Sequence, residues 1–123
     1  MKEHEGVAIA GVNTGLNHLI RPMMYDAYHH IRNLSNPTGA EKPYMVTGYI
    51  CETDTFATDR LLNEISEGDL LVFDNAGAYG FEMSSNYNSR YKPAEVLVKD
   101  GQFHLIRRRD EFKDLLNTQI EIL

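Results

Sequence analysis

Short apolar runs broken by turn residues dominate the pattern of the chain. Val7 to Ala10, Tyr44 to Ile50, Leu70 to Asn75, Ala94 to Lys99 and Phe103 to Ile106 are rich in β-branched, aromatic and aliphatic residues. That composition fits a pleated, half-buried surface, and each run predicts a strand. Asp100-Gly101 lies between Val96-Leu97-Val98-Lys99 and Gln102-Phe103-His104-Leu105-Ile106, and a two-residue Asp-Gly link is the favoured type I′ hairpin turn. Asn36-Pro37-Thr38-Gly39 predicts a loop, and Glu67-Gly68-Asp69 a turn feeding the next strand. Two segments are not strand-like. Phe112, Leu115, Leu116, Gln119, Ile120 and Leu123 recur at helical spacing behind Asp110, a suitable N-cap, which predicts a C-terminal helix. Within Arg21 to Tyr28, Pro22 suits the first turn of a helix and predicts a short helical turn leading into a strand near His30 to Leu34. Many short strands with minor helix predict a mainly β domain, a sandwich or a small Greek-key barrel.

Composition narrows this picture. The chain has 123 residues and a mass of 14.0 kDa, enough for one domain with a core and too few for two ordinary ones. No repeat, low-complexity tract or linker divides residues 1–123. The net charge of −6 and pI near 5.3 argue against a general nucleic-acid or anionic-membrane surface, since both need a basic face. Small molecules and proteins remain as partners. One cysteine allows no internal disulfide, and Met1-Lys2-Glu3-His4-Glu5 lacks the apolar stretch of a signal peptide. Leu70-Leu71-Val72-Phe73 is far too short to span a bilayer, so the expectation is a soluble cytoplasmic protein.

Candidate chemistry centres on Gly48-Tyr49-Ile50-Cys51-Glu52-Thr53-Asp54, where the single thiol is followed at once by an acid. A group that can donate a proton beside one that can hold a cation is a usable pair, although a lone cysteine is more often a small buried hydrophobe. Gly77-Ala78-Tyr79-Gly80 interrupts a strong strand with two glycines around a tyrosine, which predicts a sharp turn presenting the phenol, or else an ordinary strand-end turn. It is no dinucleotide fingerprint, because the third glycine and following helix are missing. Arg21 lies between Leu19-Ile20 and Pro22-Met23-Met24, so its guanidinium is partly surrounded by apolar groups. Such an arginine takes a fixed anionic partner, and local sequence favours a structural carboxylate over a ligand's. Met83-Ser84-Ser85-Asn86-Tyr87-Asn88 is polar enough to line a ligand or simply to face water. His29 and His30 would point to opposite faces of a strand, and no metal site is expected.

Taken in order, these pieces carry a resemblance. Asn17-His18-Leu19-Ile20-Arg21-Pro22-Met23-Met24-Tyr25-Asp26-Ala27-Tyr28-His29, Gly48-Tyr49-Ile50-Cys51-Glu52-Thr53, Gly68-Asp69-Leu70-Leu71, Gly77-Ala78-Tyr79-Gly80, Ser84-Ser85-Asn86-Tyr87-Asn88 and Pro93-Ala94-Glu95-Val96 together resemble the C-terminal domain of diaminopimelate decarboxylases. The resemblance runs from about Gly6 to Arg109. It implies a pyridoxal 5′-phosphate enzyme with an N-terminal (β/α)8 barrel and a C-terminal β-domain, converting meso-diaminopimelate to L-lysine and carbon dioxide. It further implies that Cys51 donates the proton to the substrate carbon, and that Glu52 contacts the amino group at the substrate's far end. Arg21 and Tyr25 match substrate-binding positions, while Tyr79 matches a tyrosine touching cofactor and substrate. The Schiff-base lysine belongs to the barrel, and the Cys-Glu pair reaches a neighbouring subunit's site, which implies a homodimer.

The chain departs from the family in two ways. The family pattern is Cys-Glu-Ser/Thr-x-Asp, whereas Asp54 here directly follows Thr53, which leaves the direction of Asp54 open. The chain also has no room for a barrel and no phosphate-binding glycine loop, so an isolated C-terminal domain, inactive alone, is expected. Two other readings stand beside it: the equivalent domain of a pyridoxal-phosphate decarboxylase for another diamino acid or a polyamine precursor, and a non-catalytic β-domain. Glu52 separates the first pair, because ornithine-type relatives carry aspartate after the cysteine.

Overall fold

The structure is a computed structural model and describes residues 1–122; Leu123, the last residue of the expected C-terminal helix, lies outside them. Eight strands and three short helices follow the order β1 (Lys2–His4), β2 (Val7–Gly11), α1 (Arg21–Tyr25), β3 (Ile31–Asn33), β4 (Glu41–Thr47), β5 (Thr55–Asn63), β6 (Leu71–Phe73), α2 (Gly77–Gly80), β7 (Glu95–Lys99), β8 (Gln102–Arg107) and α3 (Phe112–Leu116). The mainly β expectation holds.

β4 is the centre of the core. Tyr44 and Val46 alternate inward with no exposure, and β4 pairs with β2 in parallel and with β5 antiparallel. Around them pack Ala10, Leu19, Ile31, Phe56 and Leu62. Tyr44 is tolerated at zero exposure because its hydroxyl accepts a hydrogen bond from the Ile65 N–H at 2.8 Å. β3 and β6 form a separate antiparallel pair that joins the core through Phe73, whose ring lies 4.8 Å from that of Phe56.

Several sequence expectations are corrected here. The nine-residue β5 carries no clean alternation, since Asp59-Arg60 interrupts it. Between Tyr44 and Val46 the partner on β5 moves from Arg60 to Ala57, so one extra residue bulges out, with Asp59 at φ 48°. The strand expected over Tyr44 to Ile50 ends at Thr47, and Gly48 to Asp54 form a loop. Gly77 to Gly80 form one helical turn rather than a sharp strand break. α3 is short and is capped by Glu111 in a capping box with Asp114, whereas Asp110 accepts hydrogen bonds from the Lys92 N–H and the Asn86 amide, each at 2.9 Å. The Asp100-Gly101 hairpin has both residues at positive φ, 52° and 73°, as a type I′ turn requires.

The expected barrel closure is absent among the described residues. The ladders are β1-β2-β4-β5, β3-β6 and β7-β8, three separate sheets with open edges. The β7-β8 ribbon is apolar yet uncovered: Val98 is 72% and Phe103 81% exposed. A two-stranded ribbon has little stability of its own, so its apolar faces need cover. No helix among the described residues is long and apolar enough to cross a membrane.

Candidate active-site surface

Three loops converge on one side of the core, and two buried polar side chains tie them together. The first runs from Thr14 into α1, the second is Gly48 to Asp54, and the third is Ser84 to Ser89. Asp54 is buried, and its carboxylate accepts the Leu16 N–H at 2.7 Å and the Ile50 N–H at 2.8 Å. Its direction, open from the sequence, is therefore inward. Burial pushes its carboxyl up from the usual value, against the two N–H donors, which favour the charged form. The glycines explain how the loops come this close. A Cβ at Gly48 would fall 2.1 Å from Asp54 Oδ2, and one at Gly15 would fall 2.5 Å from the Tyr49 ring.

Asn17 is the second tie. It is fully buried; its Oδ1 accepts from the Tyr49 hydroxyl at 3.1 Å, and its carbonyl accepts the Ser85 N–H at 2.9 Å. It thus bridges the second and third loops. His18 braces the first: the Thr14 hydroxyl lies 2.7 Å from Nδ1, while Nε2 lies 2.9 Å from the Tyr91 carbonyl oxygen. A carbonyl only accepts, so Nε2 carries the proton and the Thr14 hydroxyl donates to Nδ1 of a neutral ring. Burial holds its pKa below the ordinary value, which agrees with that form.

On this scaffold the five candidate residues form two groups. Arg21 and Tyr25 lie one turn apart on α1, and Tyr79 comes from α2. The Arg21 guanidinium carbon lies 5.6 Å from the Tyr25 ring centroid and 4.8 Å from that of Tyr79. Both tyrosines are more than half exposed. The structural carboxylate expected for Arg21 is not there: none of the five ion pairs among the described residues includes it. Two rings flank the charge, and no other described residue takes a hydrogen bond from its guanidinium.

Cys51 and Glu52 form the other group, at the tip of the second loop. Cys51 is exposed, not the buried core thiol that a lone cysteine usually is, and its Sγ–H donates to Glu52 Oε2 at 3.6 Å. The Glu52 carboxyl is held below its usual range by its own backbone N–H and then by the Tyr87 hydroxyl, with smaller contributions from Cys51 and Asn88. No hydrogen bond, ion pair or cation–π contact among the described residues joins this group to Arg21. No cluster of three or more metal-ligating side chains occurs among them either.

Sequence reasoning missed the bridging role of Asn17. The available signal was indirect, since Gly15 and Gly48 flag two places where backbone and side chain meet closely.

A family model described as the pyridoxal-dependent decarboxylase C-terminal sheet domain matches residues 1–77. The chain belongs to that family. This pyridoxal-dependent decarboxylase sheet domain is 53% identical over 112 residues to the diaminopimelate decarboxylase of Methanothermobacter thermautotrophicus, covering 89% of the chain and 26% of the relative. Against the Aquifex aeolicus diaminopimelate decarboxylase the identity is 43%, covering 90% of the chain and 27% of the relative. Among solved structures, the diaminopimelate decarboxylase of M. jannaschii in complex with L-lysine superposes with a TM-score of 0.90 at 36% identity, over 98% of this chain and 28% of that one. A lysine/ornithine decarboxylase from Vibrio vulnificus fits less well, at TM-score 0.62 and 25% identity over 72% of this chain and 24% of that one. The chain therefore spans about a quarter of the length of these relatives.

The lysines of the sheet domain do not suit a Schiff base. Lys42 pairs with Glu64 at 3.0 Å, Lys113 pairs with Glu111 at 2.8 Å, and Lys92 lies 5.5 Å from the Phe81 ring centroid. Lys2 and Lys99 are exposed on β1 and β7. What the chain offers a pyridoxal group is an aromatic contact, the exposed ring of Tyr79.

Proposed function

We propose that this chain is the substrate-binding and proton-donating C-terminal domain of a diaminopimelate decarboxylase, which converts meso-diaminopimelate to L-lysine and carbon dioxide. The observation that carries the reading is Arg21, flanked by the Tyr25 and Tyr79 rings and in no ion pair among the described residues. A guanidinium fixed in that way is built to take a ligand carboxylate through two parallel N–H bonds. Glu52, an ionised acid on the second loop, takes the ammonium at the substrate's far end. A substrate lacking either charge leaves its partner unpaired, and that penalty gives selectivity. The better match to diaminopimelate than to lysine/ornithine decarboxylases supports the same assignment.

Pyridoxal 5′-phosphate, held by a lysine on the N-terminal barrel, supplies the electron sink for decarboxylation, and Tyr79 contacts it. Cys51 supplies the proton: its exposed thiol carries a hydrogen that it can deliver to the substrate carbon. The uncovered β7-β8 ribbon supports a covering partner. An apolar groove of about 440 Å³ runs beside it, lined by Leu19, Phe73, Ala76, Phe81, Val96 and Ile106, and the barrel domain is the partner expected to cover both. The separation of Cys51 and Glu52 from Arg21 supports a homodimer in which each loop completes the other subunit's site. A cytoplasmic enzyme of lysine biosynthesis follows from this reading.

The test is turnover of meso-diaminopimelate with added pyridoxal 5′-phosphate. The chain alone is expected to release no lysine, the complete polypeptide to release it, and Arg21→Gln to raise KM by about a hundredfold. Turnover of ornithine in preference to meso-diaminopimelate by the complete polypeptide overturns the assignment, as does lysine formation by the chain alone.

A further inference from the structure

We propose that His29 and Arg60 are positioning residues for Arg21: a hydrogen-bonded tie at His29 locks the chain leaving α1 to the chain entering α2, and so sets where the guanidinium meets the substrate carboxylate. This rests on the reading of Arg21 as the contact for that carboxylate.

Neither helix of the pair can hold its side chain unaided. α1 has five residues and α2 four, neither has a side-chain cap, and neither buries a residue. Helix nucleation is unfavourable, so a single turn persists only where its flanks are fixed. Yet Arg21 of α1 is set 4.8 Å from the Tyr79 ring centroid of α2, across elements distant in sequence.

The flanks meet at His29, a buried side chain that the proposed chemistry does not use. Its Nδ1 lies 3.0 Å from the Asp74 carbonyl oxygen. A carbonyl only accepts, so Nδ1 carries the proton, and Nε2 is left as a buried acceptor without a partner among the described residues. A leucine here would avoid that open acceptor and lose the tie. The Asp74 N–H donates in return to the His30 carbonyl at 2.8 Å, and the Asp74 carboxylate accepts two N–H bonds from Arg32, each at 2.8 Å. Residue 74 is thus held through its carbonyl, its N–H and its side chain.

Arg60 fixes the same segment from β5. It directly follows the bulge residue Asp59, and a bulge re-aims the side chains beside it. Its Nη1–H donates to the His29 carbonyl at 2.7 Å, and its guanidinium carbon lies 4.1 Å from the Tyr28 ring centroid. None of the five ion pairs among the described residues includes it. The links from tie to helix are short and bent. Asp26, at φ 54°, ends α1 shortly before His29, and Asn75, at φ 57°, follows Asp74 at the approach to α2. Short links pass the position of the tie on to Arg21 and Tyr79.

In the complete polypeptide turning over meso-diaminopimelate, His29→Leu raises KM about tenfold with kcat within about twofold, the signature of lost uniform binding. His29→Asn keeps an N–H close to the Nδ1 position, and its KM stays within about threefold of the parent's. Arg60→Met, at a partly exposed position, raises KM about threefold and tests the same tie where His29→Leu does not fold. In an Arg21→Gln background His29→Leu adds little, because the group it positions is gone. A histidine that only fills the core predicts changes in Tm and none in KM. Unchanged KM in folded His29→Leu or in Arg60→Met, while Arg21→Gln is impaired, overturns this proposal alone. So does a His29→Leu effect that His29→Asn shares in full, or one undiminished in the Arg21→Gln background. Unchanged KM in Arg21→Gln itself overturns the reading of Arg21 as the carboxylate contact, and this proposal with it.

Discussion

Replacing Asp54 by alanine removes the acceptor from two backbone N–H groups at once, those of Leu16 and Ile50, at 2.7 and 2.8 Å. Hydrogen bonds to a charged group contribute about 1.5–3 kcal/mol each, and a stranded buried donor costs a similar amount. Water entering the space beside Gly15 and Gly48 offsets part of this, so the expected loss is at the lower end, about 3 kcal/mol. A chain of 123 residues has an unfolding entropy of about 0.26 kcal/mol/K, which converts that loss into a fall in Tm of about 12 °C. Asp54→Asn keeps one carbonyl oxygen but turns an amide NH2 toward the second N–H, and is expected to cost about half as much. The assay is thermal unfolding of the three proteins, together with amide hydrogen exchange at Leu16 and Ile50. Those two amides should exchange faster in the variants while the Tyr44 and Val46 amides of β4 change less. A fall below about 3 °C in Asp54→Ala, with Leu16 and Ile50 still protected, would refute the idea that this carboxylate clamps the loops.

Further consequences follow from the same geometry. Gly48→Ala places a methyl group 2.1 Å from Asp54 Oδ2, and a loss of about 2 kcal/mol is expected in chemical denaturation, much reduced in an Asp54→Ala background. The carboxyls of Asp74 and Asp69 are both held below their usual range, Asp74 by the Arg32 guanidinium and Asp69 by the Ser66 N–H and the Asn33 amide. A depressed folded pKa means that stability is complete above the unfolded value of about 3.9 and is lost as pH falls through the folded one. Exchange of the β3 and β6 amides should therefore accelerate on acidification below about pH 4, and Asp74→Asn should flatten that dependence. At α3, Asp114 accepts two N–H bonds from Arg108, at 2.6 and 2.9 Å, and one from the Glu111 N–H at 2.8 Å. Asp114→Asn should fray Phe112–Leu116 in exchange measurements and leave β4 unaffected.

Local chemistry made much of the fold legible. The Asp100-Gly101 hairpin, the helical turn at Pro22 and the core strand around Tyr44 each follow from residues close in sequence. β5 was not legible, because its bulge at Asp59 destroys the alternation that marks a strand and is stabilised only by pairing with β4. Barrel closure was not legible for a related reason: short strands announce sheets, but whether the sheets close depends on contacts far along the chain. In the site, the tyrosine and cysteine positions were visible as residue types, the tyrosines on short helices and the cysteine in a loop. The inward turn of Asp54 and the bridging by Asn17 were not, since each depends on partners from 32 to 68 residues away, brought together only by folding. The expected carboxylate for Arg21 was a reasonable local inference that aromatic neighbours, one of them from α2, replaced.

The claim on which the functional account stands is that Cys51 donates the proton that ends the reaction. Its sharpest test is kcat for meso-diaminopimelate in the complete polypeptide with Cys51→Ala, measured beside Tm to show that the fold is retained. General-acid catalysis is worth about a hundredfold or more, so kcat should fall by at least that factor with KM little changed. An alanine variant that forms lysine as fast as the parent would show that the proton comes from elsewhere.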